Sequence, residues 1–172
     1  MPGGDFVFAT AAASFICRDK GVEDFLKSKA LEFDRRNVAR TYLIYDAAEY
    51  EADNFVILAY FTLAPKPIVF SKTTSKRLIK DIDGFSKNAV SVGAIIIGQL
   101  GKDERVGAKI TGVEIINSIM SLAFQVNELI GGRVVFLECQ DSDRLIDFYK
   151  RNGFFYIQNN AKTGLIQMVR HL

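Results

Sequence analysis

Between positions 101 and 112 the chain reads GKDERVGAKITG, with Gly101, Gly107 and Gly112 just ahead of a long apolar run. Backbone N–H groups at a helix N-terminus receive anions, and glycine permits the close backbone approach that a phosphate requires. The same glycines also serve as plain turn residues, so both readings stand at this point. Lys102, Arg105 and Lys109 lie in the same segment, either to neutralise phosphate charge or as solvated loop cations. A second concentration of charge lies between Asp53 and Asp81, where Lys66, Lys72, Lys76, Arg77 and Lys80 occur without a single acid. Such a run suits a polyanionic partner with salt-dependent binding, or forms a solvated basic loop.

Other chemistries find little support. His171 is the only histidine and lies one residue from the end of the chain, which argues against a histidine-based triad or metal site. Cys17 and Cys139 sit in apolar stretches without metal-ligand or disulfide-framework spacing, so a reducing, cytoplasmic setting is expected and no metal. The apolar run near the N-terminus lacks a basic leader and is too short to span a bilayer, so no membrane association is expected. A formal net charge of +2 leaves nucleic-acid binding to be decided by local charge. The 172 residues suit one domain, spanning 1–172, with a packed core.

The elements that must position these residues alternate along the chain. DFVFAT reads as a short strand, and Val22 to Asp34 places Val22, Phe25, Leu26, Ala30 and Phe33 at helical spacing. RTYLIYD and NFVILAYFTLA flank the polar turn AAEYEAD and predict an antiparallel pair, with Pro65 and Pro67 bracketing a loop after it. A short helix is expected from Ser75 to Ile82. AVSVGAIIIGQLG then predicts a central strand buried on both faces. A helix from Gly112 to Ile130, with Ile115, Ile116, Ile119, Met120, Ala123 and Phe124 on its core side, ends at Gly131 and Gly132. RVVFLEC completes a crossover with parallel strands, the helix SDRLIDFYKRNG follows, and FFYIQ and GLIQMVRH close the chain. The expected fold is α/β, a mixed sheet flanked by helices.

Two stretches resemble the GNAT acetyltransferase family. DSDRLIDFYKRNGFFYI is similar to that family's helix and strand after the acetyl-CoA groove, with Tyr149, three residues, then Gly153 and Phe154. IIIGQLGKDERVGAKITGVEII resembles its fourth strand, pyrophosphate loop and following helix. QLGKD stands in the place of Arg-Leu-Ala-Val-Asp, and the loop departs from the family pattern at Gly107 and Ile110 while keeping its length. Nearer the N-terminus, VEDFLKSKALEFDRRNVARTYLIYD is similar to the first helix and second strand of the toxin branch, whose members acetylate charged tRNA.

The resemblance implies a GNAT fold with an acetyl-CoA groove between two splayed parallel strands, and transfer of acetyl from acetyl-CoA to a primary amine. The acceptor is left open among small molecules, proteins and charged tRNA, and a homodimer and an antitoxin are candidate partners. It assigns Leu100, Gly101 and Lys102 to the pantetheine arm. Gly107, Ala108, Lys109, Ile110, Thr111 and Gly112 fall to the pyrophosphate, Ser142 to the position of a pantetheine-facing asparagine, and Tyr149 to protonation of the leaving thiolate. The central strand offers no carboxylate as base, which favours an α-amine, whose pKa is about three units below that of a lysine side chain. Glu138 is the one acid near the expected site, as a base through water, as a cap of the following helix or as a partner of an arginine. A module of the same fold that binds acyl-CoA or a partner without turnover is the alternative reading.

Overall fold

The computed structural model describes the backbone of residues 4–172 and side chains from Val7 onward. The first helix, α1 (Gly4–Ser14), replaces the expected strand. The apolar alternation of DFVFAT is only six residues long and runs on into three alanines, and alanine is the best helix former. The helix pattern from Val22 to Asp34 is interrupted, giving α2 (Lys20–Ser28) and α3 (Ala30–Arg35). Ser28 Oγ donates to the Asp24 carbonyl at 2.6 Å, a bond that bends helices, and Lys29 adopts φ −125° at the break. Phe25 and Phe33 still meet edge to face across it, with centroids 5.1 Å apart.

β1 (Arg40–Tyr45) and β2 (Ile57–Val69) pair antiparallel as expected, with a one-turn helix α4 (Ala47–Glu51) between them. Pro65 and Pro67 lie inside β2, not in a loop after it. The β1 ladder ends at Arg40 opposite Leu63, so the prolines occupy the stretch past it. Two residues apart, their missing N–H groups fall on one edge of the strand. α5 (Lys76–Asp83) is capped by Ser75 and ended by Gly84, and β3 (Ser91–Lys102) follows. β3 is interior to the sheet, but of its residues only Ile96, Ile97 and Gly101 are buried, so it is not covered along its whole length.

A 3-10 segment (Glu104–Lys109) leads into α6 (Gly112–Ile130), then β4 (Val134–Cys139), α7 (Asp143–Arg151), β5 (Phe155–Asn159) and β6 (Ile166–His171). The core side of α6 is as expected except at Phe124, which is exposed. The sheet order is β1-β2-β3-β4-β6-β5, parallel only between β3 and β4. That ladder pairs Ile95–Ile97 with Val135–Leu137, while β3 runs on to Lys102 and β4 to Cys139.

The chain divides into two compact units, Met1–Leu63 with Gln99–Ile115, and Ala64–Gly98 with Ile116–Leu172. The first has a core of Ala11, Ala12, Phe15, Leu26, Ala30, Ile57 and Tyr60. In it the Tyr60 ring meets Phe15 edge to face, and its hydroxyl donates to the Val22 carbonyl. The second is built on Ile68, Ile82, Ile96, Val134, Phe136, Ile157 and Val169.

Gly101 is where the first core demands glycine. A Cβ there would lie 2.8 Å from Val22 Cγ1 and 2.9 Å from Tyr60 Cε1. Gly101→Ala should therefore destabilise the protein by roughly 1–3 kcal/mol through overpacking. A urea-denaturation midpoint equal to wild type would show that the Tyr60 ring yields without cost.

Candidate functional site

The expected phosphate segment belongs to the first unit and is organised by Asp103. Its carboxylate is fully buried and accepts from Ile16 N at 3.2 Å, Arg105 N at 2.8 Å, Arg105 Nε at 2.9 Å and Arg105 Nη2 at 2.6 Å. Its own N–H donates to Leu58 O, and Glu104 N–H to Ile16 O, both at 2.9 Å. Burial pushes the carboxyl up, but the Arg105 guanidinium and the two backbone N–H donors outweigh it and hold it below the ordinary range. Just before it, Gln99 N–H donates to the Thr62 hydroxyl at 2.9 Å, Leu100 is half-buried, and Lys102 Nζ donates to the Gly107 carbonyl at 2.6 Å.

Gly107 makes the turn, at φ 53° and ψ −120°, and no atom lies within 4 Å of where its Cβ would be. It is exposed together with Ala108 and Lys109, whereas Ile110 is extended and buried. Lys109 Nζ donates to Asp46 Oδ2 at 2.6 Å, which lowers the Asp46 carboxyl and raises the lysine. The basic side chains of this loop are thus engaged within the first unit.

α6 opens with a capping box that the sequence contains as Thr111-Gly-Val-Glu114. Glu114 Oε2 accepts from Thr111 N and Thr111 Oγ1, each at 2.7 Å, and Glu114 N–H donates to Thr111 Oγ1 at 3.3 Å. Thr-x-x-Glu before an apolar run is the signal that identifies it. Gly112 and Val113 supply the N–H groups that the cap does not use.

Tyr149 belongs to the second unit and is buried on α7 between Phe148 and Phe154, with ring centroids 5.1 and 5.8 Å away. The Tyr-x-x-x-Gly-Phe spacing has a local cause. Gly153, at φ 82°, ends the helix, so that Phe154 N–H returns to the Tyr149 carbonyl at 3.0 Å and the two rings meet. Burial, followed by the charge on nearby Cys139, pushes the phenol up to about 12. Among the described residues its hydroxyl has no hydrogen-bond partner. Ser142 is the N-cap of α7, but its hydroxyl makes no capping bond and only its carbonyl is used, by Ile146 N–H at 2.9 Å.

Glu138 neither caps α7 nor pairs with an arginine. Oε1 accepts from Asn160 Nδ2 and Gln167 Nε2, each at 2.7 Å, and Oε2 lies 3.8 Å from Lys66 Nζ. Also in the second unit, Arg77, Lys80 and Arg133 line an open cleft of about 700 Å³ with Asp81, whose carboxylate meets His171 Nε2 at 3.0 Å. Arg133 donates from Nε to Ile82 O and from Nη2 to Asp81 O at the end of α5, at 3.3 and 3.4 Å. Lys66, Lys72 and Lys76 are outside the cleft lining. Among the described residues no cluster of His, Cys, Asp or Glu is placed to hold a metal, and no helix is long and apolar enough to cross a membrane. Cys17 and Cys139 are free thiols.

No family model and no curated protein matches the sequence. Solved structures do match. AtaT complexed with acetyl-methionyl-tRNAfMet superposes with a TM-score of 0.71 at 18% identity, over 90% of this chain and 85% of that one. A Tyr-to-Phe mutant of KacT gives 0.71 at 19% identity, over 95% and 88% of the two chains. The chain has the GNAT fold. A Tyr-to-Phe mutant of the toxin AtaT bound to the C-terminus of the antitoxin AtaR and acetyl-CoA gives 0.66 at 16% identity, over 91% of this chain and 82% of that one. The expected strand, helix and strand order around Gly101–Gly112 is therefore that of a known fold, but Asp103, which organises the segment, carries no signal in the sequence. The ligands of that carboxylate come from Ile16 and Arg105, and no local pattern joins position 16 to position 103.

Asp46 and Asp103 are not the only lowered carboxyls of the first unit: Glu114 is held down by its bonds to Thr111, and Glu23 is held down to about 2 by Lys20 and Lys27 and by the Cys17 N–H. Groups lowered by folding bind fewer protons in the native than in the unfolded state, so they stabilise above the ordinary carboxylate range and stop doing so as pH falls through the folded value. Thermal midpoints should stay level above about pH 5 and drop between about pH 4 and pH 2. Asp103→Asn should lower the midpoint at pH 7 and flatten that drop. A wild-type midpoint that is constant down to pH 2 contradicts the assignment.

Proposed function

We propose that the protein is an acetyl-CoA-dependent N-acetyltransferase, a single functional domain whose acceptor is the α-amine of an aminoacyl-tRNA. The observation that carries this reading is Tyr149, a phenol fixed by two aromatic neighbours with its hydroxyl uncommitted, in a chain with the fold of AtaT. The pantetheine arm falls to the backbone of Leu100, Gly101 and Lys102, the run of β3 past its parallel ladder. The pyrophosphate falls to Gly107–Gly112, where the open space at Gly107 and the start of α6 suit a bulky anion. The N–H near Leu100 or Gly101 polarises the thioester carbonyl as charge builds on its oxygen.

The amine nitrogen attacks the thioester carbon, the carbon–sulfur bond breaks, and the thiolate needs a proton. A phenol near 12 remains protonated at neutral pH and so is a donor throughout the working range. Proton transfer to a thiolate whose thiol has ordinary acidity is uphill, so the tyrosine acts first as a hydrogen-bond donor to the developing thiolate and completes transfer as nitrogen releases its proton.

The choice of charged tRNA is supported by the cleft beside α5, where three cations face one carboxylate already paired with histidine. β3 carries no carboxylate from Ser91 to Lys102, which favours an amine with a sizeable neutral fraction at pH 7. An antitoxin, as bound to AtaT, is the protein partner expected on this reading. Radiolabelled acetyl-CoA offered small amines, proteins and charged tRNA in parallel tests it, and transfer to the tRNA pool alone is expected.

Tyr149→Phe should lower kcat by about 100-fold or more with acetyl-CoA affinity nearly unchanged. Because the hydroxyl has no protein partner, the thermal midpoint should barely move, and an unchanged kcat would remove the tyrosine from the chemistry. Replacing Arg77 and Lys80 with glutamate should weaken tRNA binding and reduce the slope of log K against log salt by about one per lost phosphate contact, without affecting acetyl-CoA. An unaltered slope would place the tRNA elsewhere.

A further inference from the structure

Tyr45, Tyr50 and Phe55 form a closed trio of rings in the first unit, with centroids 5.1, 5.6 and 5.9 Å apart and planes inclined by 51° to 73°. Phe55 packs against the core that holds Phe15, Leu26 and Tyr60, and so anchors the group. Tyr45 and Tyr50 are instead exposed, Tyr50 by 55%, and among the described residues neither hydroxyl has a hydrogen-bond partner. Joining β1 to β2 does not require such a group. An antiparallel pair closes with about two to five residues, whereas this connection runs from Asp46 to Val56 and builds α4, which carries Tyr50. The connection is also braced. Asp46 Oδ1 caps α4 by accepting from Ala48 N and Glu49 N at 3.2 and 3.4 Å, Asp46 N–H donates to the Val56 carbonyl at 3.0 Å, and Asn54 Nδ2 donates to Glu49 Oε2 at 2.7 Å. Exposed aromatic surface held in place on a loop longer than its turn requires is the mark of an interaction site.

The charge around the trio selects the occupant. From Asp46 to Asp53 the chain carries Asp46, Glu49, Glu51 and Asp53 and no lysine or arginine. Lys109 Nζ reaches in from the glycine-bearing segment, but Asp46 Oδ2 takes it at 2.6 Å. Glu51 and Asp53, which follow Tyr50, are exposed, and among the described residues neither is paired with a cation. The face of an aromatic ring is the negative end of its quadrupole, so rings and carboxylates together attract a cation and repel the phosphates of a nucleic acid. A guanidinium meets both demands best. It is planar and stacks on a ring, it is more weakly hydrated than an ammonium and so loses less on an apolar face, and it bonds a carboxylate through paired N–H groups.

We propose that Tyr45, Tyr50 and Phe55 form a docking surface for an arginine-bearing segment of a partner protein, with a guanidinium lying on the tyrosine faces and Glu51 or Asp53 accepting its N–H groups. The surface stands apart from acetyl transfer and needs neither acetyl-CoA nor Tyr149. Asp46 nevertheless ties it to the glycine-bearing segment of the same unit, since one carboxylate both caps α4 and holds Lys109. A partner seated on the trio therefore lies beside that segment.

The test is an NMR titration of the full chain, labelled in its tyrosine rings, with an end-blocked peptide in which arginine alternates with alanine. The same peptide with citrulline, which keeps the shape without the charge, and a single-stranded oligo(dA) are run beside it. The arginine peptide should shift the Tyr45 and Tyr50 ring signals together and saturably, and the citrulline peptide and the oligonucleotide should not. Tyr50→Ala should weaken the arginine peptide roughly fivefold, whereas Tyr50→Phe, which keeps the ring, should bind it as wild type does. Glu51→Gln combined with Asp53→Asn should weaken it too and make binding less sensitive to salt; this pair decides the matter if Tyr50→Ala disturbs α4. Ring signals that do not move, a citrulline peptide that binds as tightly, or an affinity unchanged in the neutralised pair overturns the proposal. Saturation of the same rings by the oligonucleotide makes the trio a base-stacking platform instead, and a shift on dilution of the protein alone makes a second copy the occupant; either result also overturns it. The acetyltransferase reading survives each of these outcomes.

Discussion

A carboxylate sealed from solvent can persist only if its charge is met on every side, and Asp103 is met by one guanidinium and two backbone N–H groups. That requirement ties together segments which have no other reason to coincide. Ile16 must lie against the end of β3, Leu58 must receive the Asp103 N–H, and Arg105 must fold back on the residue two before it. Removing either partner would strand a buried charge, so the end of β3 and the start of the glycine-bearing segment are set as a unit. The Gly101 backbone then lies against Val22 and Tyr60 with no room for a methyl group. The position of the strand end is thus fixed twice, by charge at Asp103 and by packing at Gly101.

What the sequence made legible follows the range of the forces involved. The β3, α6 and β4 order, and α7 with its Tyr149-to-Phe154 ending, rest on apolar periodicity and on glycine caps, which are local and can be read from spacing. The errors arose where a local pattern was short or where neighbours overrode it. Phe6, Val7 and Phe8 look like a strand, yet the alanines that follow carry the helix through them. Ser28 breaks a helix whose apolar spacing continues unchanged on the far side. Pro65 and Pro67 are admitted to β2 because its ladder partner has already ended. Phe124 falls on the periodic stripe of α6 but near its exposed edge.

The candidate site was legible by the same rule. Thr111 and Glu114 are three residues apart and announce their cap in the sequence, whereas Asp103 and Glu138 acquire their meaning from partners 87 and 22 to 29 positions away. Side-chain networks of that span leave no periodic trace. The resemblance pointed to segments, but it was silent on which of their charges are already spoken for.

The departures of the loop from the family pattern have a common physical explanation. The loop between β3 and α6 turns at a residue of positive φ, Gly107. With the turn at Gly107, position 110 can be extended and apolar, and Ile110 is both, with its side chain buried. The loop cations are committed, Lys102 to the Gly107 carbonyl, Arg105 to Asp103 and Lys109 to Asp46. On the proposed reading, recognition of an anion at this loop would depend on backbone N–H groups more than on a free lysine or arginine. Glu114 opposes it, since its carboxylate, lowered by the Thr111 bonds, stands at the mouth of α6 as a negative charge. The helix gains its cap and dipole stabilisation from that charge, and an incoming phosphate meets repulsion from it.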